Sequence, residues 1–268
     1  MSSDCGTMVL SLVLLLILAI QGSVIEALHR QKRVVNGDDV LPGEIPYQVS
    51  IQARESKYHH CGGTIIDEYH VLTAGHCVHE FDPEEFHVVS GTVDLNKPRH
   101  INNVSDFIVH KEFAEKYFMN DIALVQVSTP FIFDEYASPA VLPQEGEDVL
   151  INSTVLLSGF GRLRVQSEYS RTLKKANMKV WDMDYCKTEY ESSHFLFTDS
   201  QICAFDLKHH GMCKGDSGGP LTNSNGKVIG VSSYTGDGCA DSDTPSVFTK
   251  ISGYIKWISS HICGEKLC

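Results

Sequence analysis

The chain has 268 residues, 42% apolar and 21% charged, with 21 Gly, 9 Cys, 13 His and a formal net charge of −12. That apolar share excludes a disordered chain, and the acidic balance argues against a nucleic-acid binder, which would carry a basic face. Nine cysteines fit either an oxidised extracellular protein or a metal-rich intracellular one.

The N-terminus decides between them. Val9–Ile20 is an apolar run of 12 residues, short of the ~18 of a membrane span. Gly22, Ser23 and Ala27 follow, so residues 1–22 are expected to be a secretory signal peptide, cut between 22 and 27. The segment before the run lacks Lys and Arg and carries Asp4, a departure that keeps a signal anchor as the alternative. The expected product is secreted, with no membrane or nucleic-acid partner. Removing the signal takes Cys5 with it and leaves eight cysteines. The basic stretch Arg30-Gln31-Lys32-Arg33 then meets Val34-Val35-Asn36-Gly37 abruptly, so residues 23–33 read as a propeptide processed after Arg33, or as a charged linker. Asn103-Val104-Ser105 and Asn152-Ser153-Thr154 are candidate glycosylation sequons.

From Tyr47 onward, short runs of apolar and aromatic residues alternate with turn residues. Tyr47–Gln52, Val71–Thr73, Phe86–Val89, Ile122–Val127, Val155–Leu157 and Lys227–Val231 are predicted strands, which implies an all-β sandwich or barrel. Ser128–Gly146 reads as a connector between two halves. One helix is predicted, at the C-terminus, where Ile255, Ile258 and Ile262 recur at helical spacing after Ser252 as its cap.

Three blocks carry chemistry: Thr73-Ala74-Gly75-His76-Cys77, Asn120-Asp121-Ile122-Ala123-Leu124 and Gly215-Asp216-Ser217-Gly218-Gly219-Pro220. A serine hydroxyl needs a base to become a nucleophile, and a histidine near its unperturbed pKa of ~6.5 suits that work. In their order, and with gaps of 45 and 96 residues, the blocks resemble the trypsin/chymotrypsin-like serine proteases, chymotrypsin/elastase-like branch, from Val34 to about Ile258. The resemblance implies two packed antiparallel β-barrels with a C-terminal helix, roughly residues 34–135 and 136–268. It implies Ser217 as nucleophile, His76 as base, Asp121 as the carboxylate orienting it, and the N–H groups of Gly215 and Ser217 as the oxyanion hole. It also implies activation by cleavage after Arg33, the freed Val34 amine pairing with Asp216. The activating enzyme is expected to be a convertase or an external trypsin-like protease.

The same resemblance places Gly211 and Ser246 at the floor of the main specificity pocket. An uncharged floor cannot pair a substrate Lys or Arg, although Asp241 and Asp243 stand nearby in the sequence. Met212 is expected on the pocket wall, and Ser233-Tyr234-Thr235 along the substrate strand, with Thr235 narrowing the mouth. Small or medium apolar side chains are the expected substrates. Cleavage after Phe, Tyr or Leu is one alternative, and a non-catalytic homologue acting as a binding protein is another. Implied bridges are Cys61–Cys77, Cys186–Cys203 and Cys213–Cys239. Cys263 and Cys268 have no counterpart and are expected to pair with each other or with another chain. The His59-His60 and His209-His210 pairs suggest metal binding, but strand neighbours face opposite ways, and Ser90-Gly91-Thr92-Val93-Asp94 lacks the first acid of a calcium loop. No metal or cofactor is expected. The expected partners are polypeptide substrates, an activating protease and protein protease inhibitors.

Overall fold

The computed structural model describes residues 37–262 apart from 165, 192, 194, 207–210, 237–238 and 240–243. The expectations for the signal and propeptide, Arg33, Val34, His209, His210, Asp241, Asp243, Cys263 and Cys268 lie outside the described residues.

Six strands form the first barrel: β2 (Gln48–Ala53), β3 (His59–Ile65), β4 (His70–Thr73), β5 (Phe86–Ser90), β6 (His100–Val109) and β7 (Ala123–Val127). They run in the order β2-β3-β4-β7-β6-β5, and β5 closes on β2. The second barrel comprises β8 (Thr154–Gly159), β9 (Lys174–Trp181), β10 (Gln201–Phe205), β11 (Pro220–Asn223), β12 (Val228–Tyr234) and β13 (Ser246–Lys250). Its closure is made by β8 pairing with both β9 and β11. The short strand β1 (Asp38–Asp39) adds to the start of β9, opposite Lys174 and Lys175. Closure leaves no long edge to template aggregation.

Alternation is clear on β9, whereas β4, β5, β10 and β12 are buried along their whole length. Along β9, Ala176, Met178 and Val180 are buried while Asn177 and Lys179 face solvent, the two-residue period of a half-buried strand. Val49, Ile51, Ile65, Val71, Leu72, Val88 and Leu124 fill the first barrel. Val155, Leu157, Met178, Ile202, Leu221 and Phe248 fill the second. Val40, Ile45, Val89, Leu95, Phe160 and Leu173 form a further buried cluster. Each such aliphatic side chain contributes about 1.5–3 kcal/mol on burial.

The six predicted strands coincide with observed ones to within three residues at either end, and residues 128–146 form the connector, with a single bridge at Val141. Two helix expectations need correction. Ser252 does not cap the C-terminal helix. It is buried in a 3-10 turn, Ile251–Gly253, and its hydroxyl has no hydrogen-bond partner among the described residues. The helix itself spans Ile255–Ile262, with Ile258 buried. It is also not the only helix, for Met183–Glu189 forms α1, its first turn capped by Asp182 accepting from Asp184 N at 2.8 Å. The C-terminal helix is therefore α2.

Candidate active site

Strand pairing brings two of the three chemical blocks together. β4 runs antiparallel to β7 with Thr73 opposite Ala123, so the residues just after β4 lie beside those just before β7. His76 sits in the 3-10 turn Gly75–Cys77 that follows β4, and the Cys61–Cys77 disulfide ties this turn to β3. Asp121 precedes β7 and is fully buried. Its Oδ1 accepts from the His76 backbone N–H at 2.9 Å, and its Oδ2 pairs with His76 Nδ1 at 2.8 Å. A carboxylate accepts only, so Nδ1 carries a proton and Nε2 is left as the basic nitrogen. Burial lowers the His76 pKa, but the charge of Asp121, its hydrogen bond and the more distant Glu115 outweigh burial and hold it above the ordinary histidine value.

The third block is a turn ahead of β11 in the second barrel. Gly62 N on β3 donates to Ser217 O at 2.8 Å, which seats this turn against the first barrel. Ser217 is half-buried, and its hydroxyl makes no hydrogen bond among the described residues, His76 Nε2 included. Such bonds are often long until substrate binds. Gly215 has φ +96°, and the ring of Tyr169 fills the space a side chain there would need, so the turn requires glycine. The amide N–H groups of Gly215 and Ser217 donate to no acceptor among the described residues.

Asp216 is buried, and its two oxygens accept from Gly161 N at 2.8 Å and Cys213 N at 3.0 Å. Burial, only partly offset by these two N–H groups, pushes its pKa up to about 7. Gly161 is required there, since a side chain would collide with the carboxylate.

The residues expected around the substrate fall into three groups. Gly211 and Ser246 are both buried, and Met212 N, next to Gly211, donates to Ser246 Oγ at 3.3 Å. Met212 itself packs into the core of the second barrel, only 2% exposed. Along β12, Ser232 stands opposite Phe248 and Tyr234 opposite Val247, so Ser233 is the extra residue of a bulge. The bulge turns Ser233 Oγ onto Asp121 Oδ2 at 2.5 Å, a contact across 112 residues that the sequence reading missed. Tyr234 belongs to an aromatic cluster with Phe195 (4.3 Å between centroids) and Phe118 (5.3 Å). Phe118 also lies edge-on to His76 at 5.4 Å. Neither Phe118 nor Phe195 was singled out by the sequence, where nothing distinguishes them from core aromatics. Thr235 is half-buried just beyond β12.

All three implied disulfides are formed: Cys61–Cys77, Cys186–Cys203 and Cys213–Cys239. Cys61, His76 and Cys77 are the one cluster of three metal-ligating side chains among the described residues, and two of them are bonded to each other. His59 and His60 diverge, to Gly215 O and Cys77 O, each at 2.8 Å. Asn103 is exposed on β6, and Asn152 is exposed at a turn with φ +63°.

A family profile described as Trypsin matches residues 34–258. The chain is 36% identical over 228 residues to chymotrypsin-2 of Vespa crabro, covering 85% of this chain and 99% of that protein. It is 33% identical over 239 residues to transmembrane protease serine 11C of Mus musculus, covering 87% of this chain and 54% of that protein. Trypsin Blo t 3 of Blomia tropicalis is 32% identical over 244 residues, 90% of each chain.

Proposed function

The chain belongs to the trypsin family, and from that premise we propose that it is a secreted serine endopeptidase, made as a zymogen, that cuts after uncharged, small to medium apolar residues. The observation that carries this reading is the pairing of His76 with a fully buried Asp121 beside a turn whose Gly215 and Ser217 N–H groups are unengaged within the described chain. His76 Nε2 takes the Ser217 proton as the hydroxyl attacks a peptide carbonyl, and later returns it to the departing amine. Asp121 stabilises the imidazolium formed between these steps. The two N–H groups receive the oxyanion, each such donor being worth about 3–4 kcal/mol.

Activation follows from Asp216. Its pKa of about 7 marks a carboxylate that lacks a cationic partner among the described residues. Cleavage after Arg33 supplies one, the Val34 amine, delivered by a convertase or a trypsin-like protease. The specificity rests on the uncharged Gly211 and Ser246 at the pocket floor, and on Ser233, Tyr234 and Thr235 along the substrate. The aromatic wall of Phe118, Tyr234 and Phe195 favours apolar side chains further along the peptide. A second reading, cleavage after Phe, Tyr or Leu, is favoured by the likeness to a chymotrypsin along 99% of its length. The mature protein would meet protein protease inhibitors and carry glycans at Asn103 and Asn152.

A peptide-library digest with Arg33-cleaved protein, with Ser217→Ala as control, tests the reading. Cleavage after Ala, Val or Leu that vanishes in the control is expected. Cleavage after Phe and Tyr replaces the first specificity with the second, cleavage after Lys or Arg overturns both, and no cleavage leaves a binding protein.

A further inference from the structure

Five groups of the first barrel and the nucleophile turn form one continuous hydrogen-bonded chain. His87 Nε2 meets Gln52 Oε1 at 3.3 Å, and Gln52 Nε2 meets Ser50 Oγ at 3.0 Å. Ser50 Oγ meets His59 Nδ1 at 2.7 Å, and His59 Nε2 meets Gly215 O at 2.8 Å. The sheet builds it: Ser50 and Gln52 share one face of β2, and Gln52 stands opposite both His59 on β3 and His87 on β5. All four side chains are buried.

One acceptor fixes every proton in this chain. A backbone carbonyl cannot donate, so His59 Nε2 must carry hydrogen. Burial, against the bond to Gly215, holds the His59 pKa down at about 4, which keeps the ring neutral at physiological pH and leaves Nδ1 as an acceptor. Ser50 must then give its single proton to Nδ1. With that proton committed, Ser50 can only accept from Gln52, which sets the amide nitrogen towards Ser50 and the oxygen towards His87. His87 Nε2 is therefore a donor. All four bonds point the same way, towards Gly215, and hydrogen bonds so aligned polarise and strengthen one another.

We propose that Gln52 and His87 are positioning residues for the oxyanion turn, acting through Ser50 and His59 on the Gly215 carbonyl. Anchoring that carbonyl fixes the peptide between Gly215 and Asp216, and hence the direction of the two N–H groups on either side of it. The anchor lies in the first barrel and the turn in the second, so the chain couples nucleophile geometry to the packing of the two barrels. This inference rests on the serine-protease reading above.

The test uses Arg33-cleaved protein and the variants Gln52→Leu, His87→Phe and His87→Gln. For each, kcat and KM on one peptide are measured with the affinity for a peptide aldehyde, whose adduct places an oxyanion in the hole. The affinity for the corresponding peptide amide and the Tm are measured alongside. Gln52→Leu, which removes the donor to Ser50, and His87→Phe are expected to lower kcat and aldehyde affinity together, by roughly three- to tenfold. KM and amide affinity stay unchanged, and His87→Gln, which keeps a donor, restores the wild-type values. Equal kcat and aldehyde affinity in all variants overturns the proposal, as does a fall in Tm with no change in either. A wild type that neither hydrolyses peptide nor binds aldehyde instead refutes the protease reading, and this inference with it.

Discussion

At the scale of single residues, Asp121 is the centre of the site, holding three donors around one buried charge: His76 N, His76 Nδ1 and Ser233 Oγ. Hydrogen bonds to charged groups contribute about 1.5–3 kcal/mol each. Ser233→Ala is therefore expected to lower stability by about that amount, read from the urea midpoint, and to lower kcat by about tenfold. An unchanged midpoint would mean that the hydroxyl does not serve the carboxylate. The direction of the His76 shift gives a second prediction. Its pKa is held above the histidine reference of ~6.5 by Asp121 against burial. The acid limb of kcat/KM should then lie above pH 6.5, since protonated Nε2 cannot act as a base. Asp121→Asn removes the charge and leaves burial, so the limb should move below 6.5 while kcat falls. A limb that does not move under this substitution contradicts the assignment.

Among the elements, β7 carries most responsibility, because pairing with β4 is what sets Asp121 beside His76. Leu124 on β7 is fully buried and packs in the first-barrel core. Leu124→Ala should cost about 2–5 kcal/mol, measured by denaturant unfolding, with kcat intact on the fraction that stays folded. A loss under 1 kcal/mol would show that the strand does not depend on this core. Six of the thirteen described strands were legible in the sequence, because each runs largely apolar between turn residues; β3 and β6 were not, since His59-His60, Gly62-Gly63 and Asn102-Asn103 interrupt them. Helix ends were less so. Ser252 satisfies a local cap rule, yet the chain buries it in a 3-10 turn because Ile251 and Tyr254 are needed in the core. α1 was missed because seven residues give less than two full apolar turns.

For the whole molecule, the three motif blocks were readable from their residues and order, but what surrounds them depends on two barrels meeting. Ser233 reaches Asp121, and His59 reaches Gly215, across gaps of 112 and 156 residues that no local pattern announces. The proposed activation is also a property of the whole chain. Asp216 has its pKa raised from 3.8 to about 7 by burial. A folded carboxylate with a raised pKa binds its proton more tightly than the unfolded one, so its contribution is favourable below pH 3.8 and is lost as pH rises to about 7. The loss amounts to roughly 4 kcal/mol. An uncleavable Arg33→Gln precursor should therefore lose stability between pH 4 and 7 relative to the cleaved form, in which the Val34 amine compensates the charge. Parallel Tm–pH curves for the two forms would contradict this pairing.

The central claim, that Ser217 is a nucleophile activated by His76, is tested most directly by covalent labelling with a fluorophosphonate followed by peptide mapping. Folded, Arg33-cleaved protein should take up one label, on Ser217, and His76→Ala should abolish it without unfolding the domain. Folded, cleaved protein that takes up no label on Ser217, or labels equally well without His76, would contradict the account.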